Sequence, residues 1–216
     1  MKKSALIIMT SMAAMLVSAC SRDGELDISS GVGVSITRSG CPAVAVPDGT
    51  GDITLFNPEN RQDADAIDVV ATLTKLRPAC NDSGEKIYTE TSFEVQASRR
   101  DTQGARSVTL PYFSTVVQGG SAVVAKRVGE VTVQFADGQS KATATGKAAS
   151  YIDAESARLP ADIVAKITKK RKPGDPDAAL DPLADPEVKA AVVRSSFELL
   201  IGFQLTEDQL RYNVTR

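Results

Sequence analysis

Three cysteines and a complete absence of histidine define the chemistry that this sequence can carry. Histidine supplies most general bases and is the commonest metal ligand near neutral pH. Its absence excludes Ser-His-Asp and Cys-His hydrolases, His-ligated zinc and His-ligated haem. Serine and lysine are plentiful, but no spacing singles out a pair for Ser-Lys catalysis. We therefore assign no catalytic residue, no metal ligand and no cofactor, and we expect a non-enzymatic protein.

Cys20 follows a segment with the successive regions of a secretory signal. Met1-Lys2-Lys3 is basic, residues 5–17 are apolar but too short to span a bilayer, and small residues precede the cysteine. The order Leu16-Val17-Ser18-Ala19-Cys20 resembles the lipobox of bacterial lipoprotein precursors. The resemblance implies cleavage after Ala19, a diacylglycerol thioether on Cys20 and acylation of the new amine. The alternative is an ordinary secretory signal that ends in cysteine.

Lipid on Cys20 would anchor the mature protein to a membrane without spanning it. Two or more acyl chains make such anchoring effectively stable, at about 0.8 kcal/mol for each buried methylene. Ser21 stands where lipoprotein precursors often carry an aspartate that retains them in the inner membrane. The resemblance therefore implies the inner leaflet of the outer membrane, facing the periplasm.

Cys41 and Cys80 remain once Cys20 is assigned to lipid. An even pair in an oxidising compartment indicates one disulfide. It would close a loop of about 40 residues and stabilise the fold by about 4 kcal/mol in the chain-entropy model. The alternative is two separate buried thiols, because the sequence does not reveal the distance between the two Cα atoms.

The size of the mature chain suits one domain with a substantial core. We expect a signal peptide over residues 1–19, a lipidated Cys20 with a flexible tether over 20–40, and a single domain over 41–216. Loss of Lys2 and Lys3 leaves 23 basic and 27 acidic side chains, a formal net charge of −4. A mildly acidic protein gives no reason to expect nucleic-acid binding.

Apolar side chains recur with a period of two between residues 50 and 150, which is typical of half-buried strands. The turn sequences Gly119-Gly120 and Asp137-Gly138 suit tight hairpins between these strands. Pro111 lacks a backbone donor and predicts an edge strand or a bulge at that position. The pattern predicts an antiparallel β-sandwich, immunoglobulin- or fibronectin-like, with one or two short helices in the C-terminal quarter. The alternating runs are 67–73, 87–97, 108–116 and 131–135, and we also expect a strand over 142–151, whose alanines would equally serve a helix.

Helical patterns begin after residue 160. A helix with one apolar face is predicted to begin at Pro160. It would end in the basic run Lys169-Lys170-Arg171-Lys172, because cations suit the negative end of a helix dipole. Proline and aspartate dominate residues 173–186, which predicts a linker without regular structure. Pro186 can start a second short helix through Val193.

Two charged segments near this linker are candidate sites. The basic run 166–172 could bind lipid head groups, lipopolysaccharide phosphate or the cell wall, although a solvated helix end explains it better. The aspartates of 175–185 could bind calcium, but they lack the regular spacing and central glycine of a calcium-binding loop. A disordered acidic linker is the better interpretation, so we assign no metal site.

The C-terminal tail combines the strongest strand pattern with a helix cap. Residues 197–205 alternate without a break, and Thr206 and Gln209 have the spacing of a capping box. We expect Leu210 and Tyr212 to pack on the sandwich, and the terminal helix is also a candidate partner surface.

The lipobox, the Cys41-Pro42 pair, Cys80, the central strands and this tail together resemble a group of α-proteobacterial envelope lipoproteins. The group brings no assigned activity, so the resemblance implies no functional residue beyond Cys20. We expect a structural or protein-interaction module, anchored to the membrane through Cys20 and bound to an envelope protein. The alternative is a periplasm-facing carrier that holds a lipid or small apolar ligand between its sheets, at a site that the sequence does not reveal.

Overall fold

The computed structural model describes residues 38–215. The predicted signal peptide, Cys20 and the predicted tether as far as residue 37 lie outside the described residues. The main compact unit comprises residues 38–169 and 180–215, and residues 170–179 group apart from it.

The main unit contains eight strands. They are β1 (Ala43–Ala45), β2 (Asp52–Phe56), β3 (Ile67–Asn81), β4 (Lys86–Arg99), β5 (Arg106–Gln118), β6 (Ala122–Phe135), β7 (Lys141–Asp153) and β8 (Phe197–Phe203). One sheet has the order β1-β8-β5-β6 and the other has the order β2-β3-β4-β7. All neighbouring strands are antiparallel except β1, which is parallel to β8. The predicted mainly-β sandwich is confirmed, and so is the strand that was expected over 142–151.

The inner faces of the two sheets supply one core. Alternate residues of β4 and of the second half of β7 are buried, as the period of two predicts. The largest side chains less than 2% exposed include Phe93, Phe135, Phe203, Ile53, Leu110, Leu199 and Ile201. This packed interior fixes the sheets against each other.

Two local predictions about these strands are wrong. β5 lies between β6 and β8, so Pro111 is neither on an edge strand nor at the register shift of β5, which falls at Val116/Val117. Pro111 is tolerated because β8 pairs with β5 only from Tyr112 onward. Asp137-Gly138 forms a turn but no hairpin, because β6 and β7 belong to different sheets.

Three short helices lie in the C-terminal part of the main unit: α1 (Ala161–Thr168), α2 (Pro186–Arg194) and α3 (Glu207–Thr215). A 3₁₀ helix over Pro182–Ala184 occupies part of the predicted linker, with Pro182 buried. A second, smaller apolar cluster joins α1 to α2 through Ile163, Ile167, Val188 and Ala191.

Arg99, at the end of β4, holds the connections that link the two sheets. Its side chain is buried and lies over the Phe135 ring, with Cζ 5.2 Å from the centroid. The guanidinium donates at 2.8–2.9 Å to the carbonyl oxygens of Thr102, Gly104, Ala136 and Gln139. The loops after β4 and after β6 are therefore tied to one side chain.

Candidate functional site: the free edge of strand β6

The predicted disulfide between Cys41 and Cys80 is confirmed. The sulfur atoms are 2.04 Å apart and the Cα atoms 6.1 Å apart. Cys41 lies just before β1 and Cys80 lies near the end of β3. Since β1 and β3 belong to different sheets, the bridge links the two sheets. It therefore fixes the first described residues against the sandwich.

In each of the two units, a cation of the basic run 166–172 pairs with acidic side chains. Lys166 bridges α1 and α2, with Nζ 2.6 Å from a carboxylate oxygen of Glu187 and 3.7 Å from one of Asp185. The hydrogen bond to Glu187 raises the pKa of Lys166. Within residues 170–179, the Nε of Arg171 lies 3.5 Å from an oxygen of Asp177. Acidic side chains therefore neutralise part of the run, as its sequence context indicates.

The aspartates that were weighed as calcium ligands accept backbone hydrogen bonds. Asp181 accepts from the N–H of Leu183 and Asp185 from that of Glu187, both at 2.9 Å, at the starts of their helices. Asp175 accepts from the N–H of Lys172 at 2.8 Å. Among residues 38–215, no three acidic or cysteine side chains are placed to hold a metal ion.

The terminal helix α3 contacts the sandwich through Tyr212, as predicted, whereas Leu210 is 41% exposed. Gln209 and Thr206 exchange the two hydrogen bonds of a capping box, at 3.0 and 3.2 Å. The Tyr212 ring meets Phe56 edge to face, with centroids 5.1 Å apart. Asn213 Nδ2 donates to the carbonyl oxygens of Gly49 and Asp52. These contacts make α3 part of the fold.

No helix in the described part of the chain has the length and hydropathy needed to cross a bilayer.

The first half of β6 is an exposed strand at the edge of its sheet. Among residues 38–215, β6 is the last strand of its sheet and pairs only with β5. From Ala122 to Val128 every residue is exposed, whereas Val131, Val133 and Phe135 are buried. Val123, Val124 and Val128 are 63%, 51% and 60% exposed. A strand edge with apolar side chains on it is suited to pair with another strand.

The charged side chains of this free edge make no ion pair within residues 38–215. Lys126 Nζ lies 5.4 Å from the centroid of the Phe113 ring on β5. Lys126, Arg127 and Glu130 make no ion pair with any residue in the range 38–215. They are therefore available to a partner.

Sequence reasoning detected only the buried half of β6, residues 131–135. The signal for the other half was present in the β-branched Val-Val-Ala-Lys-Arg-Val sequence over 123–128. It does not alternate, because both faces are exposed, and a search for a period of two misses it.

A cleft beside the disulfide is a second candidate site. It is a cleft of about 380 Å³ between the first described residues, the β3–β4 turn and α1, with Ile87, Ala154 and Ile167 in its wall. Arg38 in this wall donates to the hydroxyls of Ser195 and Ser196 at 2.7 and 2.9 Å, and burial lowers the pKa of Arg38. The cleft is at the end of the sandwich and not between the sheets, where a carrier site was expected.

The chain gives no significant match to a protein-family model, a curated protein or a solved structure.

Proposed function

We propose that this protein is a non-enzymatic lipoprotein of the cell envelope that works as a protein-interaction module. Lipid on Cys20 holds it at the inner leaflet of the outer membrane, and the sandwich faces the periplasm. The sequence support for the anchor is the ordered basic, apolar and small-residue regions before Cys20.

The observation that carries the interaction role is the free edge of β6. Its outer backbone groups have no strand beside them in the described part of the chain, and its valines are exposed to water. An extended partner segment would satisfy the backbone donors and acceptors and cover Val128. The partner is therefore an envelope protein that offers a strand.

Photo-crosslinking in intact envelopes tests this role. A photoreactive amino acid replaces Val128 in the full-length protein, and the same amino acid at Val214 of α3 is the matched control, since these side chains are 60% and 63% exposed. A discrete crosslinked protein from position 128, and none from position 214, is the expected result. Equal or absent crosslinking at the two positions would overturn the proposal.

Mass spectrometry of the intact protein from fractionated membranes tests the anchor. The expected mass begins at Cys20 and includes the acyl chains, in the outer-membrane fraction. The Cys20→Ser variant should lose both the acyl mass and the membrane fractionation. An unlipidated wild-type mass in the soluble periplasm would contradict the anchor and leave the β6 test unaffected.

The cleft beside the disulfide favours a second candidate function, the carriage of an anionic amphiphile. Its walls join apolar side chains to Arg158, whose guanidinium has no partner among residues 38–215. Lipids that copurify with the full-length protein in mild detergent would be identified by mass spectrometry. The Arg158→Glu variant should lose them while the exposed control Arg77→Glu keeps them, and retention by both variants would reject this candidate.

A further inference from the structure

The free edge of β6 is complementary to a second copy of itself. Val131, Val133 and Phe135 face the core, so Lys126, Val128 and Glu130 lie on the opposite, outer face. Lys126 and Glu130 are each two residues from Val128 and carry opposite charges. An antiparallel strand centred on the same residue would place each charge opposite its complement.

We propose that the occupant of this edge is β6 of a second copy, paired antiparallel about a two-fold axis at Val128. The pairing would join the two β1-β8-β5-β6 sheets into one eight-stranded sheet. This inference rests on the proposed interaction role and names its partner.

The two-fold axis restricts the register. An antiparallel pair of identical strands requires an axis perpendicular to the sheet, so the outer face of one copy continues the outer face of the other. Residues directly opposite each other must then lie on the same face, and the axis passes through a residue position.

Charge selects one of these registers. An axis at Lys126 or at Arg127 sets that cation against its own copy, which is destabilising. An axis at Val128 sets Lys126 opposite Glu130 of the second copy, twice by symmetry, and sets Arg127 opposite Gly129. Among axes placed from Val124 to Glu130, only the one at Val128 pairs opposite charges directly.

The ends of the paired segment follow from the structure. The register of β6 against β5 shifts between Val123 and Ala125, opposite Val116/Val117, so the regular strand begins at Ala125. With the axis at Val128, Ala125 lies opposite Val131 of the second copy. The segment is thus Ala125 to Val131, and Val133 and Phe135, next to the turn that leads to β7, stay outside it.

A cysteine at the axis tests the geometry directly. In the full-length Val128→Cys variant, the two new thiols lie opposite each other, and mild oxidation of intact envelopes should give a covalent homodimer on a non-reducing gel. Val214→Cys is the control of equal exposure. A Val128→Cys dimer yield no higher than that of the control would overturn the proposal.

Charge reversal tests the register. In the Val128→Cys background, Lys126→Glu and Glu130→Lys each set like charges opposite each other twice, and each should lower the dimer yield by about tenfold. Co-expression of the two variants, carrying different tags, should restore crosslinking as a heterodimer only. Failure of the mixture to restore it would reject this register, and restoration excludes misfolding as the cause of the single losses.

The photo-crosslinking experiment separates this inference from the proposed function. A crosslink from position 128 to a different envelope protein, with no homodimer from Val128→Cys, would reject the second copy and retain the interaction role. No crosslink to any protein, the second copy included, would reject both.

Discussion

The rings of Phe93 and Tyr112 meet edge to face between the two sheets, with centroids 4.9 Å apart and planes at 74°. Each ring also covers a glycine of the next strand, Phe93 facing Gly146 across β4 and β7 and Tyr112 facing Gly129 across β5 and β6. The Tyr112 hydroxyl donates to the carbonyl oxygen of Lys147 on β7 at 2.6 Å. These two aromatic–glycine pairs therefore connect the sheets beside Gly129, where the inner face of β6 changes from buried to exposed.

Gly146→Ala should destabilise the protein, because a Cβ at this position would overlap the Phe93 ring. Overpacking of a core typically costs about 1–3 kcal/mol. Denaturant unfolding measures the loss, and Gly84→Ala is the control, since its nearest neighbour would be a backbone atom at 3.7 Å. In the Phe93→Leu background, the cost of Gly146→Ala should shrink. An unchanged cost would show that the ring does not limit this position.

Local sequence patterns predicted the parts of this fold that depend on local chemistry. Alternation located the long strands, and the Thr206 and Gln209 spacing located a capping box that forms as expected. The sequence favoured one disulfide between Cys41 and Cys80 over two separate buried thiols, and the disulfide is confirmed.

The features that were missed depend on contacts between distant segments. The exposure of Ala122 to Val128 follows from which strands flank β6, and no local pattern gives the strand order. Arg99 continues the inward phase of β4 but is a charged residue, so its burial depends on carbonyl oxygens that two separate loops bring to it. The pairing of β1 with β8 joins segments at opposite ends of the described chain.

Removal of the disulfide should lower the free energy of unfolding by about 4 kcal/mol, because Cys41 and Cys80 are 39 positions apart and the bridge restricts the unfolded chain. Cys41→Ala/Cys80→Ala and the reduced wild type should have similar unfolding midpoints in urea, both below that of the oxidised protein. Reduction of the double variant is the control and should leave its unfolding midpoint unchanged. A wild-type midpoint that does not respond to reduction would contradict the prediction.

Thr89→Val should stabilise the protein by about 1 kcal/mol. Thr89 is 0% exposed, and its hydroxyl oxygen has no hydrogen-bond partner among the described residues. A methyl group in its place removes the cost of burying an unpaired polar atom. Thr72→Val is the control and should lower the free energy of unfolding, because the Thr72 hydroxyl donates to Asp52 at 2.5 Å. Thermal unfolding of both variants measures the difference, and a destabilised Thr89→Val protein would show that its hydroxyl is satisfied.

Acid should remove part of the stability through Glu90 on the outer face of β4. The hydrogen bond from the Lys147 ammonium, at 2.9 Å, lowers the pKa of Glu90 below its ordinary value of 4.5. A carboxyl group whose pKa is lower in the folded state contributes stability above its unfolded pKa and loses that contribution as the pH falls through the folded value. The loss should therefore occur below about pH 4.5 and be small, because both side chains are exposed to solvent.

Unfolding measured from pH 7 to pH 3 should show a weaker acid dependence in Glu90→Gln than in wild type, while Glu155→Gln, in the exposed turn after β7, should follow the wild-type curve. An identical acid dependence in Glu90→Gln and wild type would show that the Lys147 contact contributes nothing to the folded state.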